Sequence, residues 1–263
     1  MPKGLFWKMA DSVKRRLFGR LRKETASIDY LRFKDYRKRF DEIPDILIRE
    51  WKIIKKEIKE EYKEYADDVL FRRLEGFLYE ALFYYACLDT QSVFLDAEII
   101  EMADDEPYFT EYPPWFEAIP LYDIIPNLHY IRKGRVKRRK VPQVKADFLV
   151  MYVDDKGPLP PALIDVKARK PSRYKDEWNW QIVAAMRMGF IFQIAYPKHG
   201  VKYPKSLKEW ELRTPCPECK KLSHEYRRCS ECGAEIFPFT IVDARYTLSN
   251  LIKWLGKTYS GRF

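Results

Sequence analysis

Residues 5–22, LFWKMADSVKRRLFGRLR, set Leu5, Met9, Val13, Leu17 and Leu21 at helical spacing with basic and polar positions around the rest of the wheel, which predicts an amphipathic helix. Residues 44–64, PDILIREWKIIKKEIKEEYKE, predict a second helix opened by Pro44, with Glu and Lys at i,i+4 spacing on its wet side. The next stretch, about 65–88, is too apolar for a surface helix and is expected at the centre of the core. SVFLDAEIIEM (92–102) then reads as a strand, residues 107–128 as an irregular insertion rich in Pro and aromatics, and HYIRKGRVKRRKV as a hairpin turning near Gly134. Two apolar runs, DFLVMYV and ALIDV, are separated by the turn signal DDKGPLPP and are expected to be adjacent strands. WNWQIVAAMRMGF predicts a helix of about 12 residues, and IFQIAYP a buried strand ended by Pro197. IFPFTIVDARYTLSNLIKWLG adds a last strand and helix. From residue 65 the order is helix, strand, strand, strand, helix, strand, an α/β class with a sheet covered by helices on both sides.

Composition adds scale and a partner. A chain of 263 residues, 46% hydrophobic, buries a full core and suits one catalytic domain with attachments. The net charge of +10 points to an acidic partner, with nucleic acid the commonest. The charge is segregated: residues 1–40 hold thirteen Lys and Arg against four Asp and Glu, and 132–145 holds no acid. That second run comprises Arg132, Lys133, Arg135, Lys137, Arg138, Arg139, Lys140 and Lys145, whereas 96–117 holds eight acids and no base. Such segregation suits a groove for a polyanion, with Lys14, Arg15 and Arg16 and the 132–140 run as the expected contacts. No secretion signal and no run of about 18 apolar residues is present, so an intracellular, cytoplasmic protein without a membrane span is expected.

The pattern Asp/Glu-x-Lys occurs six times, starting at Glu50, Glu57, Glu61, Asp154, Asp165 and Glu218, and as a string decides nothing. Only Asp165 ends an apolar strand, where alternation puts Asp165 and Lys167 on one face. Asp147 begins the neighbouring run, and a hairpin-like pairing brings it beside Asp165. Two carboxylates at that distance repel unless a hard cation such as Mg²⁺ or Mn²⁺ sits between them.

With Ala146-Asp147 and, after 17 intervening residues, Asp165-Val166-Lys167, the chain resembles the PD-(D/E)XK nuclease superfamily over roughly 65–200. The resemblance implies a restriction-endonuclease-like core in the order helix, strand, strand, strand, helix, strand, with a mixed sheet flanked by helices. It also implies a divalent metal at the two aspartates and hydrolysis of phosphodiester bonds. Ala146 departs from the family's usual Pro. Members usually add an acid from the preceding helix: Glu75, which shares a face with Phe71, Leu74, Leu78 and Leu82, is the first choice and Glu80 the alternative. Gln181 is similar to the helix glutamine of the RecB-like branch, although Ala185 stands where that branch has Tyr.

Four of the five cysteines form C-x2-C-x9-C-x2-C: Cys216, Cys219, Cys229 and Cys232. In a reducing compartment this points to metal before disulfide, and four thiolates close a tetrahedral Zn²⁺ with a structural role. The segment resembles a zinc ribbon. An iron–sulfur cluster is the competitor, His224 is surplus as a ligand, and Cys87 reads as core packing. The expected layout is a basic helical extension (1–64), a nuclease core (65–200, with an irregular basic insertion at about 107–145), a zinc ribbon (211–236) and a C-terminal strand and helix (237–263) on the core. The expected activity is a Mg²⁺- or Mn²⁺-dependent nuclease acting on DNA, alone, as a homodimer or in a larger DNA-processing complex. The competing reading is a catalytically inactive nuclease-fold and zinc-ribbon adaptor that binds nucleic acid.

Overall fold

The computed structural model describes residues 2–26, 33–103, 115–120, 146–154, 157–158, 162–187 and 190–237. Among these, helix α1 (Lys3–Ala26) buries the predicted stripe: Met9, Val13, Leu17 and Leu21 are each at most 4% exposed, joined by Ala10 and Phe18. Helix α2 (Phe33–Glu61) starts eleven residues before the predicted position, so Pro44 lies inside it rather than opening it. Proline there removes one backbone donor from the ladder. The helix continues because its apolar face does: Phe40, Ile43, Leu47, Trp51, Ile54 and Ile58 are spaced by three or four residues and all buried.

Helix α3 (Asp68–Ala103) opens on Asp67, whose Oδ1 accepts the Leu70 N–H at 2.6 Å as an N-cap. It extends through 92–102, which the sequence pattern assigns to a strand. No Gly or Pro interrupts the chain from Phe77 to Ala103, so nothing ends the helix at Leu88. α2 and α3 run antiparallel, as Phe40 meets Tyr85 with ring centroids 5.0 Å apart and Lys55 Nζ sits 4.9 Å from the Phe71 ring centre. α1 packs on both, placing Phe18 against Tyr84 and Arg16 against Glu50 and Glu57 of α2.

The chain divides into two compact units. The first comprises Met1–Asp89, Val166–Lys170 and Tyr196–Trp210. There the three helices are joined by the later segment through the Tyr79 hydroxyl, which donates to the Lys202 carbonyl at 2.6 Å, and through Trp210, packed edge-on to Phe83 at 5.2 Å. The second comprises Thr90–Asp165, Pro171–Ala195 and Glu211–Phe263.

The second unit carries a mixed sheet and makes the chain α/β. Strand β1 (Trp115–Pro120) pairs along its whole length with β2 (Phe148–Asp154), antiparallel, from Trp115↔Val153 to Pro120↔Phe148. β1 falls inside the stretch expected to be an irregular insertion; its prolines bound an edge strand instead of forbidding one. The two-residue β3 (Gly157–Pro158) folds back on β2, and β4 (Ala162–Val166) pairs antiparallel with β2, as the DDKGPLPP turn predicts. Helix α4 (Glu177–Arg187) leads to β5 (Ile191–Pro197), which neighbours β4; a helix between adjacent strands is the crossover that parallel pairing needs. β6 (Trp210–Pro215) and β7 (Leu222–Ser223) complete the order β1-β2-β4-β5-β6-β7. β4 is buried at every position and β5 at all but Gln193, as central strands are. The hairpin near Gly134, the basic run 132–145 and all but the first residue of the C-terminal strand and helix (237–263) lie outside the described residues. Among the described residues, no helix is long and apolar enough to cross a membrane.

Candidate functional site

The four cysteines converge. The sulfurs of Cys216, Cys219, Cys229 and Cys232 all lie within 4.8 Å of one another, with Cys216 to Cys232 at 3.8 Å and Cys219 to Cys229 at 3.6 Å. A tetrahedron with Zn–S bonds of about 2.3 Å has edges of about 3.8 Å, so the arrangement fits a single ion. A multi-iron cluster spreads its cysteines over different irons and needs them farther apart. Four clustered cysteines of this kind can hold a metal such as zinc. His224 is not among them: its backbone N–H donates to Ser230 Oγ at 3.2 Å.

Two loops build the centre, and the second repeats the first thirteen residues later. In the first, Lys220 N–H donates to the Cys216 carbonyl (3.1 Å) and Cys216 N–H to the Lys221 carbonyl (2.8 Å). In the second, Gly233 N–H donates to Cys229 and Cys229 N–H to Ala234, both at 2.8 Å. The residue after each second cysteine is left-handed, Lys220 at φ 58° and Gly233 at φ 74°. Even the stems correspond, since Pro215 pairs with Leu222 and Arg228 with Glu235. Each loop thus turns its own two thiols inward.

Ser223, fully buried, ties the loops together. Its Oγ accepts N–H groups from Glu225 (3.1 Å) and Ser230 (3.0 Å) and donates to the Glu225 carbonyl (2.8 Å). Protonated thiols so close share their protons unevenly. Burial pushes Cys219 up to about 12, with Cys229, Cys232 and Cys216 adding to it. Burial also opposes ionisation of Cys229, but the N–H groups of Glu231 and Cys232 and hydrogen bonds with Cys219 and Cys232 bring it down to about 7. A cation removes the conflict by ionising all four.

The first loop also docks on the start of α4. Lys220 Nζ lies 3.3 Å from Asn179 Oδ1 and 4.9 Å from the centre of the Tyr174 ring, and the Tyr174 hydroxyl donates to the same Asn179 oxygen at 2.6 Å. Burial, then the charges of Cys216, Asp176 and Cys219, hold the Tyr174 phenol above its ordinary range.

Strand pairing brings the two carboxylates near each other. β2 pairs with β4 as Phe148↔Ile164, Leu149↔Leu163 and Val150↔Ala162. Asp147 immediately precedes β2, and its N–H donates to the carbonyl of Ile164, the neighbour of Asp165 in β4, at 2.7 Å. Asp165 is 8% exposed and Asp147 half-buried, while Lys167 follows β4 and is also half-buried. Gln181 lies in α4 and is 4% exposed, not on a solvent face.

On α3, Glu75 Oε1 accepts a hydrogen bond from the Tyr203 hydroxyl at 3.1 Å. Burial, the Glu75 charge and that bond push the Tyr203 hydroxyl up to about 12. Glu75 also lines an open hollow of about 350 Å³ with Trp51, Lys55, Asp68, Phe71 and Arg72. Glu80, the alternative, is 9% exposed and its carboxylate pairs with Lys14 Nζ at 2.7 Å. That ion pair gives Glu80 a structural partner inside the helical layer. It also engages Lys14, one of the expected phosphate contacts. Arg16 is engaged likewise by Glu50 at 2.7 Å and by Glu57, which raise its guanidinium further. Arg15 is exposed, its Nε donating to the Asp11 carbonyl at 3.3 Å. Trp178 is 1% exposed and belongs to the core. Ser223, Tyr174 and Tyr203 have no signature in the sequence, because their partners lie on other segments. The residue after each cysteine pair did carry a signal at Gly233, but none at Lys220.

No protein-family model matches the sequence, and no curated protein or solved structure matches it either.

Proposed function

We propose that the chain is a divalent-metal-dependent nuclease that hydrolyses phosphodiester bonds, with DNA as substrate. The observation that supports this reading is the Asp147 N–H bond to the Ile164 carbonyl, which brings Asp147 next to the strand residue that precedes Asp165. Carboxylates gathered close together repel unless a cation or a proton joins them, and oxygen donors of this kind suit Mg²⁺ or Mn²⁺. The order α3, β1, β2, β4, α4, β5 also agrees with the core that the PD-(D/E)XK resemblance implies, apart from the two-residue β3.

Asp147 and Asp165 would hold the ion. When bound, the ion acidifies a water and offsets charge on the phosphate. Lys167 orients that water or stabilises the charge that grows on the phosphoryl oxygens, and Gln181 positions the reacting groups. The cysteine centre holds zinc and folds its own segment.

Purified protein incubated with labelled single-stranded, duplex, flap and four-way DNA plus Mg²⁺ or Mn²⁺ is expected to cleave at least one substrate. Asp165→Ala and Lys167→Ala are each expected to reduce cleavage by roughly 10²–10³-fold or more. Binding without cleavage of any substrate would overturn the nuclease reading in favour of an adaptor.

A further inference from the structure

Exposed charge is distributed differently on the first two helices. From Lys38 onward the exposed positions of α2 carry six cations (Lys38, Arg39, Arg49, Lys52, Lys56, Lys59) and six acids (Asp41, Glu42, Asp45, Glu57, Glu60, Glu61). That is an ordinary solvated face, laced with pairs such as Lys56 to Glu60. The exposed positions of α1 carry four cations, Lys8, Arg15, Arg22 and Lys23, against Asp11 alone. The half-buried cations of the helix pair with acids on α1, α2 and α3: Lys14 with Glu80, Arg16 with Glu50 and Glu57, and Arg20 with Glu24.

The exposed cations form a row. Lys8, Ser12, Arg15, Gly19 and Arg22 with Lys23 follow one another at steps of three or four, so they lie along a single face. The row extends about 22 Å at 1.5 Å per residue. Beside the cations stand the small Ser12 and Gly19 and a single acid, Asp11, and a side chain added at Gly19 would meet nothing within 4 Å. A flat, open, cationic ridge lets a polyanionic rod approach closely along its length.

We infer that this ridge is a contact for the sugar–phosphate backbone of duplex DNA. The inference rests on the nucleic-acid reading of the proposed function and moves its N-terminal contact to the outward face of α1, away from Lys14 and Arg16. An anionic lipid surface has matching charge but fits less well. A helix that lies in a bilayer interface immerses its apolar face, and here Met9, Val13, Leu17 and Leu21 are already buried in the protein. Duplex DNA needs no apolar partner and presents one charge every ~1.7 Å of axis. Arg15 suits the role, since its bond to the Asp11 carbonyl uses one of five guanidinium donors.

The test is anisotropy of a labelled duplex with full-length protein in EDTA, across a salt series, so that binding is read without cleavage. The triple variant Lys8→Gln, Arg15→Gln, Lys23→Gln is expected to flatten the slope of log K against log salt by about 2 to 3. Gly19→Glu improves helix propensity and puts a carboxylate into the row, so it is expected to weaken binding in a folded protein. Equal loss from a control triple on α2 (Lys52→Gln, Lys56→Gln, Lys59→Gln), or unchanged binding in both ridge variants, would overturn the proposal. So would ridge-dependent sedimentation with vesicles of equal parts phosphatidylcholine and phosphatidylserine when duplex binding is ridge-independent. Cleavage assayed in parallel with Mg²⁺ separates the two readings: ridge-dependent binding without cleavage removes the nuclease and keeps the ridge.

Discussion

The cysteine loops and the two aspartates proposed as a second metal site differ in how much of the chain must fold first. Cys216 to Cys232 is a short local stretch in which each loop closes through its own backbone hydrogen bonds, and the two loops obey one pattern. The aspartates lie on separate segments, Asp147 just before β2 and Asp165 in β4, and only the pairing of those segments brings them near each other. A local site can be recognised from spacing alone; one made by strand pairing depends on a register that a one-residue slip would destroy. The local centre should therefore hold its ion tightly as part of folding, and the proposed site at the aspartates weakly and exchangeably.

The largest effect expected is on the local centre. Cys229→Ser should abolish stoichiometric zinc, measured by elemental analysis, and unfold the 211–236 segment, since structural zinc contributes on the order of 10 kcal/mol to such folds. EDTA at a level that stops cleavage should leave that zinc in place, and addition of Mg²⁺ should restore activity. Zinc lost together with activity would erase the contrast between the sites. Ser223→Ala comes next. It leaves the N–H groups of Glu225 and Ser230 without their acceptor and should cost about 1–3 kcal/mol of stability, read from zinc retention during denaturant titration. Smallest is Gly233→Ala, which places a Cβ at φ 74° and should cost about 1–2 kcal/mol by the same measurement.

Much of this was legible beforehand where the signal was local and periodic. The α1 stripe, the β2 and β4 runs with their turn, α4, β5 and the cysteine spacing all follow from side-chain period or turn chemistry. What escaped depended on neighbours. Pro44 resembles a helix start, yet Phe40 and Ile43 on one side and Leu47 on the other belong to a single buried face. Residues 92–102 have strand-like composition, but with no breaker after Gly76 they extend α3. β1 is flanked by prolines and shows itself only through its pairing with β2. Nor could sequence order tell that Lys14 and Arg16 face acids while Lys8 and Arg15 face water.

The two cysteine loops are copies in backbone but not in surroundings. Lys220 accepts a left-handed backbone where its counterpart is glycine, and its ammonium reaches Asn179 and Tyr174 on the body of the second unit. Cys216, in the anchored loop, is buried, whereas Cys232 in the other is exposed. Of the four sulfurs, that of Cys232 is therefore the one that ions and oxidants arriving from solvent meet first.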